Sequence, residues 1–406
     1  MTETRATETY RAADEEYTLR WFEPGDEADF VALFNEIWSA ERTTEWFDWR
    51  YRDNPSVDEV TMLVAEHEGW VVATCPFLAV RVRAGEVTRL AFLSTDVMTA
   101  SDHRRRGLFE RLTRMALDRY AARPAADRPA LLFNHANRYS QPGFERLGWE
   151  YSSPQVRYNR LQRTGSYLVD RVRGSDGAGS PNGVTEAAVR LAGSAATAAN
   201  RAALALADRQ ASFDTERFAV ERRDDVPAAT LAACYDACRP DAVHVVYDEP
   251  FYEWRFAEPD NAPAATYLVR AGGRAGTAGD ADVPDNRVVA GAVVHRERDE
   301  RNDTSTVTIS HVTPAAGGPE RTAAIAAAVE RVLADFSDAD LVRTANPLVP
   351  PAVRRAYGFL PDGRLPMSKL AEPSGLTLGR RPLLDGEWTL NGRPLRGADP
   401  YLWTLA

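Results

Sequence analysis

Three consecutive arginines, Arg104, Arg105 and Arg106, run into Gly107 and then into an apolar helical pattern, Leu108-Phe109-Glu110-Arg111-Leu112. A basic cluster of this kind suits a nucleic-acid backbone, a solvated helix start, or a seat for a phosphorylated small molecule. The segment before it, residues 89–100 (RLAFLSTDVMTA), reads as a strand. A strand that turns at a glycine and continues at once as a helix leaves the first amides of that helix without intrahelical acceptors. Those donors, with the positive end of the helix dipole, favour a bound phosphate. Gly107 offers no side chain to block a pyrophosphate, and the guanidiniums add charge around it. Composition weighs against nucleic acid, because 49 basic residues face 59 acidic ones and the formal net charge is −10. A binder of phosphate backbones usually carries a basic overall balance.

Residues 96–112 (DVMTASDHRRRGLFERL) resemble the acetyl-CoA motif of the GNAT superfamily of N-acetyltransferases. That motif is Arg or Gln, two residues, Gly, one residue, then Gly or Ala. Arg104 and Gly107 match the first two fixed positions, and Phe109 stands where a small residue is usual. A later element of the family, a strand ending in Asn followed by a short helix and Gly-aromatic, looks like Asn137, Ser140 and Gly148-Trp149. The resemblance implies a mixed α/β (α+β) sheet flanked by helices. It also implies direct transfer of an acetyl group from acetyl-CoA, as acyl-donor substrate, to a small-molecule or peptide amine, with no metal, nucleic acid or membrane involved. By the same resemblance, the backbone around Met98 and Thr99 polarises the thioester carbonyl. The amides of Arg105, Arg106, Gly107, Leu108, Phe109 and Glu110 hold the pyrophosphate beside Arg104, and Asn137 and Ser140 complete the donor site. Two residues are candidates for the base: Asp96 on the central strand, or His135 on the next strand, which could titrate near neutrality. The competing readings are a strand-end carboxylate making hydrogen bonds and a satisfied buried imidazole. Many relatives place a tyrosine as general acid where this chain has Phe144, and a phenyl ring donates no proton. Tyr139 or water would then substitute.

The elements that must position these residues occur twice. Residues 45–55 (EWFDWRYRDNP) and 250–260 (PFYEWRFAEPD) share an aromatic, acid, Trp-Arg-aromatic core, and 137–149 is echoed by 346–359. Similar element order around both motifs predicts two tandem GNAT-like units, 15–161 and 215–371, with the acetyl-CoA site in the first. A tail, 1–14, precedes them. A linker, 162–214, joins them through a Gly/Ser-rich loop at 173–184 and an Ala-rich helix at 185–210. An extension, 372–406, carries a hairpin signal at Asn391-Gly392. In the second unit, residues 310–325 (SHVTPAAGGPERTAAI) lack the preceding Arg or Gln, and Pro319 removes a donor. This unit reads as degenerate, covering or shaping the acceptor site. The aromatic cluster Trp46, Trp49 and Tyr51 either lines the acceptor pocket or packs a core; its recurrence as Tyr252, Trp254 and Phe256 favours the core.

Length and composition bound the rest. At 406 residues the chain exceeds one ordinary core, and its apolar runs are too short to cross a bilayer. The first residues lack the pattern of a secretory signal, so a cytoplasmic protein is expected. Cys75, Cys234 and Cys238 cannot build a disulfide framework, and the last two are spaced as neighbours on one helix face. An acidic surface modestly favours a cationic acceptor. Two other functions stay open: an aminoacyl transferase of the FemAB type, and a CoA-binding or interaction module without catalysis. The acceptor's identity and the oligomeric state are left open.

Overall fold

The computed structural model describes residues 7–163, 183–259, 261–272, 287–300, 303–345, 347–365, 367–370 and 373–402. The described elements form two large mixed sheets, and the Gly/Ser-rich stretch of the linker lies largely outside the described residues.

The first sheet is built from β1 (Glu8–Ala12), β2 (Glu15–Trp21), β3 (Met62–His67), β4 (Trp70–Ala84), β5 (Val87–Ser94), β6 (Met98–Thr99), β7 (Leu131–Ala136) and β8 (Glu150–Pro154). Its centre is β4, whose residues from Val71 to Val80 are all buried. A strand covered on both faces reads as a near-continuous apolar run rather than an alternating one. On one face Cys75 and Phe77 meet Leu112, Met115, Ala116 and Tyr120 of helix Leu108–Ala122. These helix positions recur at helical spacing and form one apolar stripe. On the other face Leu78 and Val80 share a core with Phe30 and Leu33 of helix Glu27–Trp38.

The second sheet contains β9 (Arg157–Leu161), β10 (Phe218–Arg223), β12 (Ala265–Ala271), β13 (Val288–Asp299), β14 (Thr304–Thr313), β15 (Leu341–Ala345) and β16 (Leu360–Pro361), in the order β10-β12-β13-β14-β15-β9-β16. The short strand β11 (His244–Val245) pairs instead with Arg83 and Val82 of β4 in the first sheet. Helix Pro319–Asp335 covers the second sheet with Ala323, Ala324, Ala327, Ala328 and Val332, all buried.

The units are interlocked, and this corrects three expected boundaries. β9, placed by the sequence at the end of the first unit, pairs with β15 and β16 in the second sheet. Strand β17 (Thr377–Pro382), from the extension after the second unit, inserts between β7 and β8 of the first sheet. Further along the extension, Thr389–Leu390 and Arg393–Pro394 pair as a separate hairpin, and Asn391-Gly392 between them has both residues at positive φ, the conformation that a two-residue I′ turn requires. The expected tail is in part a strand, because β1 pairs with β2 from Glu8↔Leu19 to Ala12↔Glu15. Strand pairing across long sequence separation leaves no local signal, which is why the repeat pattern alone misplaced these edges.

One core runs across both units. It joins Phe30, Trp46 and Trp49 of the first to Leu231, Trp254 and Val293 of the second. Trp49 Nε1 donates to the Trp254 carbonyl at 2.6 Å, and Trp254 Nε1 donates to the Trp49 carbonyl at 2.6 Å. Reciprocal contacts between equivalent residues are the mark of a two-fold arrangement. The buried aromatic cluster is therefore core at its tryptophans, and the residue after each tryptophan is carried to the junction.

Candidate active site

The site begins with a break in the ladder of β4. Pairing with β5 runs from Ala84↔Val87 to Phe77↔Ser94 and resumes with β6 at Thr74↔Met98. Between these pairs Cys75 and Pro76 face Thr95, Asp96 and Val97, so the outer strand bulges, and Asp96 takes φ 52°. A reason lies in Pro76. The Phe77 amide donates to Thr61, just ahead of β3, so the neighbouring position 76 would have to donate on the bulge side, and proline has no amide to give. On the other flank, β5 pairs in parallel with β7 only from Ala91↔Leu131 to Leu93↔Phe133. Beyond that point the strands part, while β17 keeps hold of β7 through Ala136↔Thr377. A wedge opens between residues 97–99 and the chain after β7.

Backbone direction in the wedge follows from alternation. The Ala100 amide donates to Val72 on β4, so the Met98 amide faces β4 as well and those of Val97 and Thr99 face the wedge. The Thr99 carbonyl shares that direction and accepts Arg104 Nε at 3.1 Å. Of the two residues expected to polarise a carbonyl, Thr99 is thus the one whose amide is aimed outward, and Met98 contributes a buried side chain.

The loop continues from the wedge into helix Leu108–Ala122. Gly107 is its N-cap, at φ 78° and without a side-chain cap, so the first amides of the helix are left for another acceptor. A Cβ at Gly107 would stand 3.0 Å from the Tyr10 hydroxyl, which itself donates to the Arg106 carbonyl at 2.8 Å. β1 therefore supports the loop from behind, a role no local sequence signal revealed. The three arginines part company. Arg104 and Arg105 are exposed. Arg106 turns inward to Glu15 and the Tyr17 hydroxyl, and donates to the Asp102 carbonyl at 2.7 Å; its side chain is a brace, which corrects the expectation of three cations around one phosphate. Glu110 pairs with Arg114 at 2.9 Å.

The opposite wall is the short helix Gln141–Arg146. Asn137 Oδ1 accepts the amides of Tyr139 at 2.9 Å and Ser140 at 3.1 Å, and Ser140 Oγ accepts the Asn137 amide at 3.2 Å. Both side chains are thus occupied in holding the turn. Phe109 leaves the loop altogether: a Cβ at Gly143 would meet its ring at 2.9 Å, and the ring stands edge-on to Phe144 at 4.8 Å. The bulky third motif position is accommodated by the small residue across the wedge. Together Met98, Thr99, Arg104, Phe109, Tyr139 and Ser140 line a cavity of about 420 Å³. Ile37, Gly143 and Arg146, not singled out in the sequence, line it too.

The three expected catalytic residues fare differently. Asp96 lies at the foot of the wedge, but its Oδ2 accepts both Arg50 Nε and the Tyr51 hydroxyl at 2.6 Å. Its Oδ1 receives the Thr95 hydroxyl at 3.1 Å. His135 lies on the same face of β7 as Leu131 and Phe133, in the core shared with the second unit. Burial pushes its imidazole down to about 4, offset in part by a hydrogen bond to the Leu402 backbone, so the expectation of titration near neutrality is corrected. Tyr139 is 77% exposed, with the Arg138 guanidinium 4.6 Å from its ring centre and bonded to its hydroxyl.

At the equivalent place in the second unit, Gly318 caps helix Pro319–Asp335. Arg321 folds back there, donating from Nε to the Pro314 carbonyl at 2.5 Å and from Nη2 to the Leu348 carbonyl at 3.4 Å. Burial lowers this guanidinium to about 10. The cleft beside it is about 220 Å³ and also contains Glu320, Cys234 and Cys238.

Comparison with known proteins agrees with this geometry. The acetyltransferase (GNAT) domain family matches residues 18–152. No curated protein matches the chain. Among solved structures, a probable N-acyltransferase from Enterococcus faecalis is similar at TM-score 0.55 and 9% identity, covering 90% of this chain and 73% of that one. A GCN5-related N-acetyltransferase from Anabaena variabilis is similar at TM-score 0.55 and 10% identity, covering 93% and 75%. The N-myristoyltransferase of Saccharomyces cerevisiae, solved with bound myristoyl-CoA, is similar at TM-score 0.54 and 11% identity, covering 93% and 80%. At such identities these structures speak to fold alone. The break in β4, the parting of β5 from β7 and the glycine-capped helix lie within the matched residues, and this stretch of the chain is a GNAT acetyltransferase domain within a fold of two mixed sheets.

Proposed function

We propose that the chain is an N-acyltransferase that takes an acetyl group from acetyl-CoA and passes it directly to an amine, with the donor held in the first unit. The observation that carries this reading is the wedge: outward amides at Val97 and Thr99 lead, through the short turn Ser101–His103 and the arginines, to a glycine-capped helix start. Pantetheine is a narrow chain that ends in a pyrophosphate, and it fits a slot between parted strands that leads to unpaired amides. In this reading Arg104, Arg105 and the amides of residues 105–110 bind the phosphates, with Arg146 opposite. The Thr99 amide donates to the thioester oxygen, where charge develops as the amine nitrogen attacks the carbonyl carbon. The carbon–sulfur bond then breaks, the thiolate takes up a proton, and the amine gives one up. In this reading Asp96 Oδ1 receives an N–H of the incoming amine beside the Thr95 hydroxyl, while Arg50 and Tyr51 fix the carboxylate through Oδ2. His135, buried beneath the C-terminal segment, has no part in proton transfer. Tyr139 or water protonates the thiolate, since Phe144 lacks a hydroxyl.

A second reading, donor binding without turnover, is favoured by that same phenylalanine. The two are separated by following thiol release from acetyl-CoA across a panel of amines, together with calorimetric binding of CoA. Release that depends on an amine supports transfer. CoA binding with no release for any amine supports the second reading, and absence of both overturns the donor site. Longer acyl-CoA donors in the same assay define the acyl group.

A further inference from the structure

The Trp-Arg-aromatic repeat delivers two arginines to the junction between the units, and they are treated unequally. Arg50 is matched: its Nε lies 2.6 Å from Asp96, with the Tyr51 hydroxyl on the same carboxylate oxygen. Arg255 follows Trp254 as Arg50 follows Trp49, but the next aromatic is Phe256, which has no hydroxyl. Among the described residues the Arg255 guanidinium makes no hydrogen bond and no ion pair within 4.0 Å, although it is half-buried. Glu258 is the acid that acts on it from a distance, and that carboxylate is shared with Arg42 at 3.4 Å and with the Asn261 amide at 2.7 Å. Three guanidiniums, Arg42, Arg50 and Arg255, therefore face two carboxylates, Asp96 and Glu258. The neighbours add nothing negative: His311 and His295 are both lowered by burial and by Arg255 itself, so they stay neutral. Arginine does not shed its proton to escape such a position, and a half-buried guanidinium with no anion in hydrogen-bond reach keeps its donors open. A ligand that carries an oxyanion supplies the missing partner.

Resting on the transfer reading above, we propose that Arg255 binds an oxyanion carried by the acceptor, so that the acceptor is an amine bearing a carboxylate or a phosphate rather than a simple cation. The placement supports this in two ways. Arg255 lies within electrostatic reach of Arg50, which holds Asp96 at the foot of the wedge, so amine and oxyanion sites are linked through one shared residue. A guanidinium presents a planar pair of donors that matches carboxylate or phosphate oxygens. This local surplus of positive charge runs against the acidic balance of the whole chain, and against the cationic acceptor which that balance suggests. The second unit then contributes the recognition group while the first contributes the donor site.

The test compares matched acceptors with acetyl-CoA: alanine against alaninamide, and O-phosphoethanolamine against ethanolamine. At least one oxyanion-bearing member should exceed its neutral counterpart about tenfold or more in kcat/KM, and the pair that does so identifies carboxylate or phosphate. In Arg255→Met that preference should fall to within about twofold, mainly through KM; Arg255→Lys should keep part of it. Preference for both neutral members, or a preference that survives Arg255→Met, overturns the proposal. If the methionine variant does not fold, the lysine variant and the wild-type pairs decide. Binding of the unreactive N-acetylalanine and N-acetyl-O-phosphoethanolamine, each against its neutral counterpart, separates this inference from the transfer reading. Loss of oxyanion-selective binding in Arg255→Met with no turnover of any amine would sink transfer alone. Absence of selective binding and of selective turnover would sink the oxyanion site.

Discussion

The two strand-to-helix loops, 99–112 in the first unit and 313–325 in the second, start from the same architecture and end with opposite availability. In the first, Gly107 at φ 78° caps the helix without a side-chain cap, Arg104 donates to the Thr99 carbonyl, and Arg104 and Phe109 line a cavity. In the second, proline occupies the first helical position, an acid follows it, and Arg321 fastens itself to the carbonyls of Pro314 and Leu348. The lesson is that the scaffold alone does not make an anion site. Donors must be left unspent, and the second unit spends its own on packing.

The largest effect should come from closing the first loop. Gly107→Glu places a Cβ against the Tyr10 hydroxyl and a carboxylate where the proposed donor site takes a pyrophosphate. At an effective dielectric of about 20, two unit charges about 4 Å apart repel by roughly 4 kcal/mol. Affinity for CoA should fall by close to three orders of magnitude at about 1.4 kcal/mol per tenfold, read by calorimetry with the fold checked by circular dichroism. An unchanged Kd would remove this loop from the donor site. The same calorimetry on the wild-type protein should give one CoA per chain; a value near two, surviving Gly107→Glu, would make the second loop a working site.

Acid should act on the packed side of the comparison. His311 on β14 accepts or donates a bond with the Tyr252 hydroxyl at 2.9 Å, and burial pushes it down to about 3. The folded state holds it neutral while the unfolded chain takes up a proton below its ordinary value, about 6.5. Its stability contribution is therefore fully present above that pH and is lost progressively toward about 3. Thermal melts should decline over that window, and His311→Gln should flatten the decline. An equally steep acid limb in the variant would assign the loss to other groups.

Arginine truncation sharpens the contrast between the loops. Arg104→Ala should raise KM for acetyl-CoA about three- to tenfold with little change in kcat, because it contributes ground-state binding. Arg321→Ala should instead lower stability by about 1–3 kcal/mol through the lost charged bonds, with CoA affinity unchanged. A reversal of the two outcomes would exchange the roles of the loops. The smallest effect is expected from Phe144→Tyr, which adds one hydroxyl beside the cavity and should cost less than about 1.5 kcal/mol. A larger loss of melting stability would mean that the helix Gln141–Arg146 has no room on its cavity side.

What the sequence disclosed was local or repeated. Arg104, Gly107 and the helix after them are contiguous, so strand, turn and dipole could be argued from one stretch. The Trp-Arg repeat revealed duplication because both copies keep it. What stayed hidden depends on pairing between distant residues. Tyr10 supports Arg106 from another strand, Arg50 claims Asp96 across the core, and Leu402 covers His135 from near the other end of the chain. Phe109 looked like a departure from the motif because Gly143, the residue that makes room for it, lies beyond an entire helix and strand.

The insertion of β17 has a consequence for how the protein is made. Domains commonly fold in order as a chain leaves the ribosome, yet β7 receives its outer neighbour only after the whole second unit has been synthesised. Until then β7 presents an open edge of unpaired backbone groups, a template for association with other chains. The wedge, whose far side is held by β17, cannot reach its final width before translation is almost complete. Premature stop codons anywhere before residue 377 would therefore leave a nascent first unit without its clasp, so late truncation should yield aggregation rather than a folded half-sized protein.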